Sequence, residues 1–189
     1  MIQRNIFKGE LVRLAAMEPK AFGKAMNRWE RDSYYWRLLA SDPSRMFSPK
    51  GITEWMEKTL EKDAGDMFVF MIRTLDDDRL VGELGLDGLR WNHGDAYTSI
   101  SLGNRTDWGK GYGTDAMHIL LRFAFTELNL HRVSLNVFAY NQRAIRSYEK
   151  AGFVYEGEAK AYLNRDGERW DLIYMGILRD EWHKLNEVE

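Results

Sequence analysis

The chain has 189 residues, 44% of them apolar and 13% aromatic, which suffices for one domain with a sizeable core and is too apolar for a disordered chain. A net charge of −2 without a long run of one sign carries no electrostatic footprint for nucleic acid, and the absence of cysteine removes disulfides, thiolate metal sites and a cysteine nucleophile. No apolar stretch approaches the roughly 18 residues of a membrane span, and the first residues lack the apolar core of a secretory signal, so the expectation is a soluble, cytoplasmic protein that spans no membrane.

All three prolines, Pro19, Pro43 and Pro49, fall in the N-terminal part, which is therefore the most punctuated. Residues 10–14 read as a first strand and residues 18–29 as a helix. Tyr34, Tyr35 and Trp36 make an aromatic cluster ahead of a loop over residues 41–48. Ser48 can cap a helix that has Pro49 at its first position and a stripe of Ile52, Trp55, Met56, Thr59 and Leu60. Residues 67–72 are almost wholly apolar, as in a buried central strand. A turn over residues 76–78, a strand over 80–86 and a hairpin-like turn over 92–95 lead to a strand ending at Leu102. Turns this short join antiparallel neighbours, so these strands form a meander.

The run Trp108-Gly-Lys-Gly-Tyr-Gly-Thr114 lies between that strand and an apolar-striped helix pattern over residues 115–128. Strand, glycine-rich turn and helix form a geometry that binds phosphate: glycines let N–H groups converge on an anion, and the helix N-terminus adds unpaired donors and partial positive charge. The spacing is neither that of the nucleoside-triphosphate loop nor that of the dinucleotide fingerprint. Taken alone, the run is equally a tight strand–helix connection. Residues 133–137 alternate as a strand, and strand, helix, strand permits a right-handed parallel crossover. Asn141 can cap a short helix that ends at Ala151 with Gly152 as its stop. A strand over 153–158, a turn over 164–167 and a strand over 170–178 close the chain. The order gives one mixed-sheet α/β domain over residues 1–189.

Together these motifs resemble the GNAT N-acetyltransferases. The residues that carry the likeness are Ile100-Ser-Leu102, the Trp108–Thr114 run, Phe125-x-x-Leu128-Asn-Leu130-His-Arg132 and Asn141-x-x-Ala-Ile-x-x-Tyr-Glu-Lys-Ala-Gly-Phe153. Within the family they look like the branch that acetylates ribosomal-protein N-terminal alanines and polyamines. The resemblance implies a mostly antiparallel sheet, splayed at a central parallel crossover and flanked by helices. It implies acetyl-CoA as donor, with an acceptor-side front over about residues 1–65 and a coenzyme A core over about 97–152. In that likeness Trp108, Gly109, Lys110, Gly111, Tyr112, Gly113 and Thr114 take the pyrophosphate. Ile100, Ser101 and Leu102 pair with the pantetheine amides, and Asn141 adds a polar contact. Trp108 stands where the broad family often has Gln or Arg, a substitution familiar in this branch. Lys110 either adds charge to the phosphates or is a solvated lysine; the same choice applies to Arg143 and Arg146.

Acetyl transfer needs a neutral amine held close to a polarised thioester, and a proton for the departing thiolate. Tyr148 is the candidate general acid, because a phenol is protonated at neutral pH. Glu83 is the candidate base, with Asp87, Asp95 or a water as alternatives. The four histidines have no ligand spacing, so no metal is expected. Trp29, Tyr34, Tyr35 and Trp36 are either packing residues or the wall of the acceptor pocket. The acceptor is a small-molecule or peptide amine, and family members are often homodimers. A CoA-binding sensor or scaffold without turnover, and transfer of a longer acyl group, remain open alternatives.

Overall fold

The structure, a computed structural model, describes residues 5–62 and 65–186; residues 1–4, part of the stretch read above for a leader, lie outside it. The elements are β1 (Val12–Ala16), α1 (Pro19–Trp29), α2 (Ser33–Leu39), α3 (Pro49–Lys62), β2 (Phe68–Thr74), β3 (Leu80–Arg90), β4 (Asp95–Leu102), α4 (Tyr112–Arg122), β5 (Arg132–Phe138), α5 (Gln142–Lys150), β6 (Val154–Arg165), β7 (Glu168–Leu178) and α6 (Arg179–Asn186). The strands form a single sheet in the order β1-β2-β3-β4-β5-β7-β6. Every neighbouring pair is antiparallel except β4 and β5. This is the mixed, mostly antiparallel architecture expected.

The two faces of the sheet are buried differently because strand residues alternate in direction. On one face Leu14, Ile72, Leu84 and Leu86 pack with Ala116, Met117, Leu120 and Leu121 of α4 in a single apolar cluster. On the other face Met71 packs with Phe22, Met26 and Trp29 of α1 and with Ile52 and Met56 of α3. The Ser48 hydroxyl accepts from the Gly51 N–H at 3.0 Å, so it caps α3 as its sequence implies. Trp55 departs from the expected stripe and is 54% exposed, because the face of α3 that packs inward is the i, i+4 line of Ile52, Met56 and Leu60.

Several elements differ from their sequence boundaries. α4 starts at Tyr112, with Gly111 at its cap in the left-handed region (φ 88°), so half of the glycine run is helix rather than loop. Its C-terminal end widens into a π-helical turn over Phe123–Glu127. The final hairpin is longer than expected, and its turn is Asp166-Gly167, both at positive φ, as a two-residue hairpin requires. Neither α2 nor α6 is visible as a period in the sequence. α2 is capped by Asp32, which accepts from the Tyr34 N–H at 3.1 Å. Its far end is held where the Arg165 guanidinium donates to the carbonyls of Ala40, Ser41 and Asp42 at 2.7–3.1 Å. Among the described residues no helix is long and apolar enough to cross a membrane.

Candidate active site

β4 and β5 are paired only where Asp95, Ala96 and Tyr97 meet Arg132, Val133 and Ser134. β4 runs on to Leu102 and β5 to Phe138 without pairing each other, so the sheet opens. A cavity of about 640 Å³ fills this gap and reaches both faces of the sheet. Its lining includes Ile100, Ser101, Leu102, Trp108, Gly109, Gly111, Tyr112, Gly113, Thr114, Asn141 and Tyr148. Of the residues assigned above to catalysis or to the coenzyme, Glu83, Lys110 and the alternative base Asp95 are outside the lining, Lys110 being exposed.

The glycine run forms one wall. The Asp115 N–H closes onto the Gly111 carbonyl at 3.0 Å, which leaves the N–H groups of Tyr112, Gly113 and Thr114 without an intrahelical acceptor. Gly109 (φ 74°) and Gly111 (φ 88°) supply the left-handed turns that bring these groups to one side. Thr114 and Ser147 hydroxyls meet at 2.8 Å and fasten α4 to α5. Ahead of the run, Asp107 is fully buried and takes both ends of the Arg79 guanidinium at 2.9 and 3.0 Å, tying the turn to the start of β3. The Trp108 indole donates to the Leu102 carbonyl at 2.8 Å. In an antiparallel ladder the two backbone groups of a residue point the same way and alternate along the strand. Leu102 therefore faces the gap, and so does Ile100, whose N–H and C=O are presented to the cavity.

Asn141 caps α5 through its side-chain oxygen, which accepts from the Ala144 N–H at 3.3 Å, and its amide lines the cavity as well. Both roles weighed for it in the sequence are thus geometrically open to one side chain. Tyr148 is buried, with its ring edge-on to Phe153 at 6.0 Å. Burial pushes its phenol up to about 12, against which the nearby Arg143 charge acts weakly.

Glu83 lies opposite Ser101 across the β3–β4 ladder, and Met71 lies opposite Glu83 on its other side. Cross-strand partners share a face, so Glu83 belongs to the α1–α3 side whereas the glycine run belongs to the α4 side. It reaches the cavity through hydroxyls: Ser101 Oγ donates to Glu83 Oε1 at 3.1 Å, and Tyr35 OH meets Ser101 Oγ at 3.0 Å. Because the serine hydrogen is committed to Glu83, the tyrosine must be the donor in the second bond. Desolvation raises the Glu83 carboxyl to about 7, with the Ser101 hydrogen bond opposing it. Burial, then the Glu83 charge, push the Tyr35 phenol well above its usual range. Tyr35 itself, on α2, lines the cavity. In the sequence it was indistinguishable from its packing neighbours; Trp29 is indeed core, at 3% exposure, while Tyr35 is both core and wall.

The other carboxylates separate by position. Asp87 lines the cavity and its carboxyl is raised by burial. Asp95 is bonded to Arg90, which holds its carboxyl below the usual range, and it is spent on the hairpin turn. Among the described residues no group of three or more His, Asp or Glu is placed to hold a metal ion.

A sequence profile described as an acetyltransferase (GNAT) domain matches residues 12–154. The SPbeta prophage-derived uncharacterized N-acetyltransferase YokL of Bacillus subtilis is 32% identical over 143 residues, covering 71% of this chain and 73% of that protein. The spermidine N(1)-acetyltransferase of Vibrio cholerae is 32% identical over 110 residues, covering 58% and 62% of the two chains. Among solved structures, a GNAT-family acetyltransferase from Bacillus anthracis superposes with a TM-score of 0.76 at 22% identity, over 92% of this chain and 98% of that one. The Vibrio cholerae spermidine N-acetyltransferase, solved with CoA and spermine, gives 0.73 at 24% identity over 91% and 98%. The chain therefore belongs to the GNAT acetyltransferase family, whose members move acetyl from acetyl-CoA to an amine.

Proposed function

We propose that the cavity joins the acetyl donor on the α4 side of the sheet to a primary amine carrying a single cationic centre, small or peptidic, on the α1–α3 side. The donor fits the wall built for it: a cluster of unpaired main-chain N–H groups at a helix N-terminus suits a diphosphate, and the gap-facing Ile100 backbone suits the amides of a pantetheine arm. On this reading the described residues from about 97 to 152 form the coenzyme core and those before about 65 the acceptor-side front. Acetyl-CoA supplies a thioester whose acyl carbon the amine attacks, with a C–N bond forming as the C–S bond breaks.

The chain's own groups manage two protons. Glu83 takes the proton lost by the amine. The hydrogens of Tyr35 and Ser101 already point toward it, so a proton passes from the cavity to Glu83 by a shift along each of two existing bonds. A carboxylate with a pKa near 7 is matched to that task at neutral pH. Tyr148 holds its proton at any working pH and is the donor for the leaving sulfur. Glu83 and Tyr148 approach the gap from opposite faces of the sheet, which leaves room between them for the amine and the thioester. The acceptor's charge count follows from the acceptor-side wall. Tyr35, Leu38 and Leu39 of α2 and Tyr97 of β4 surround one unpaired lining carboxylate, Asp87, since Asp107 is taken by Arg79. A polycation is best held by several carboxylates.

The observation that carries this reading is the splayed gap with the N–H cluster on one side and the Tyr35–Ser101–Glu83 chain on the other. The test is CoA release from acetyl-CoA with a panel holding spermidine, simple monoamines and peptides with free N-termini, run for wild type and Tyr148→Phe. Monoamines or peptides should be turned over faster than spermidine. Tyr148→Phe should lower kcat by about 10²-fold while CoA affinity changes less than about twofold. A preference for spermidine overturns the acceptor assignment, and an unchanged kcat removes Tyr148 from the chemistry.

A further inference from the structure

Several arginine guanidinium groups are matched to carboxylates: Arg13 to Asp78, Arg37 to Asp166, Arg79 to Asp107, Arg105 to Asp32 and Arg132 to Glu156. Arg143, near the start of α5, is different. Its guanidinium carbon sits 3.5 Å above the Trp108 ring, closer than either of the other arginine–aromatic contacts. Its Nη1 is buried without a hydrogen-bond partner, and it lines the cavity. The groups near enough to favour its charge are the phenols of Tyr34 and Tyr148, and burial works against it. A buried cation without a counter-charge is costly. The fold keeps it nonetheless, flat on an indole whose own N–H is anchored to Leu102. An arrangement that holds a guanidinium rigid and leaves its edge unpaired is preorganised for an anion that arrives with a ligand.

We propose that Arg143 binds the diphosphate of coenzyme A from the side opposite the main-chain N–H groups of residues 109–114, with Trp108 as the platform that sets its position. This rests on the reading of the cavity as the acetyl-CoA site. The diphosphate is the anion that the location selects: Arg143 and Trp108 line the same cavity as Gly109, Gly111, Tyr112, Gly113 and Thr114, whose amides at the helix N-terminus suit a phosphate. Amides on one flank and a guanidinium on the other would enclose the two negative charges, and the carboxylate that precedes Trp108, Asp107, is already taken by Arg79. The exposed Arg146 and Lys150 lie further along α5 on the same cavity and meet ligand charge only at its rim. Trp108 then has a positive function in this chain, beyond a backbone contact, since it is the support for the cation.

The experiment measures dissociation constants of wild type, Arg143→Met and Arg143→Lys for CoA, dephospho-CoA and pantetheine, by calorimetry or by competition, with thermal melting as the control on folding. A charged hydrogen-bond pair of this kind corresponds to about 10- to 100-fold in affinity. Arg143→Met should weaken CoA and dephospho-CoA by that factor alike and leave pantetheine unchanged. Arg143→Lys should recover part of the loss, because the point charge stays while the flat stacked fork does not. A loss for CoA but none for dephospho-CoA would assign Arg143 to the 3′-phosphate and overturn the proposal. An equal loss for pantetheine would make the residue structural and overturn it as well, as would no loss at all. Failure of the wild-type protein to bind CoA is a separate result, which removes the cavity assignment itself and this proposal with it.

Discussion

Replacing Glu83 with Gln keeps the shape and the acceptor for the Ser101 hydroxyl while removing the titratable group. In the folded protein this carboxyl is raised from its ordinary 4.5 to about 7, chiefly by desolvation. That difference corresponds to about 3 kcal/mol between folded-state and unfolded-state ionisation, an upper bound because Glu83 is only half-buried by surface and water reaches part of it. The sign follows from which state binds the proton better. The folded state does, so the penalty is absent below the unfolded value near 4.5, grows as pH rises, and is complete above about 7. Wild-type stability should therefore fall relative to Glu83→Gln between pH 4.5 and 7 by up to that amount, with no further divergence at higher pH. Urea midpoints for the two proteins, taken at half-unit pH steps, give the curve.

Activity tests the same ionisation from the other side. If Glu83 accepts the amine's proton, kcat/KM of the wild type loses about tenfold per pH unit below about 7. Glu83→Gln should be about 10²- to 10⁴-fold slower and lack that limb. An acceptor amine of known pKa contributes a limb of its own, common to both proteins and hence separable. The chain has no cysteine, so released CoA can be read with a thiol reagent against no protein background. A variant that retains the wild-type acid limb refutes Glu83 as the base. A stability difference that stays flat across pH 4.5–7 refutes the burial argument on which the base assignment rests.

Two further pairs of substitutions probe the wall built by the glycine run. Arg79→Ala leaves the buried Asp107 with no cation and only the Asn104 amide, which donates to it at 3.3 Å, and should cost about 3 kcal/mol, whereas Asp107→Asn leaves an Arg79 that is 42% exposed and can be rehydrated, at about 1 kcal/mol; equal losses in urea unfolding would show that the pair is not asymmetric in burial. Gly111→Ala forces an alanine to φ 88° with its Cβ 3.0 Å from Leu11, and should lose about 1–2 kcal/mol and weaken CoA. Gly113→Ala, in helical geometry with its nearest new contact at 3.5 Å, should leave stability unchanged or raise it; a comparable loss at both positions would remove the left-handed turn as the reason for the glycine at Gly111.

What was legible in the sequence is what is local. The glycine run between strand and helix and the Asn141 cap each follow from residues within one or two turns of each other, where spacing determines geometry. The hydrogen-bonded chain is not local: Tyr35, Ser101 and Glu83 come from a short helix and two strands, and only the β3–β4 register sets Glu83 opposite Ser101. Helix α2, which brings in Tyr35, spans seven residues and carries too little period to be seen. The contrast between Lys110 and Arg143 is sharper still. Both are basic, both belong to motifs that carry the family likeness, and side-chain chemistry ranks them alike. The fold puts Lys110 at the crest of the turn, facing solvent, and folds Arg143 back over Trp108, where burial removes its water and supplies no carboxylate. Burial of a charge is decided by tertiary packing, so its most informative consequence, an unmet demand for an anion, cannot appear until the chain is folded.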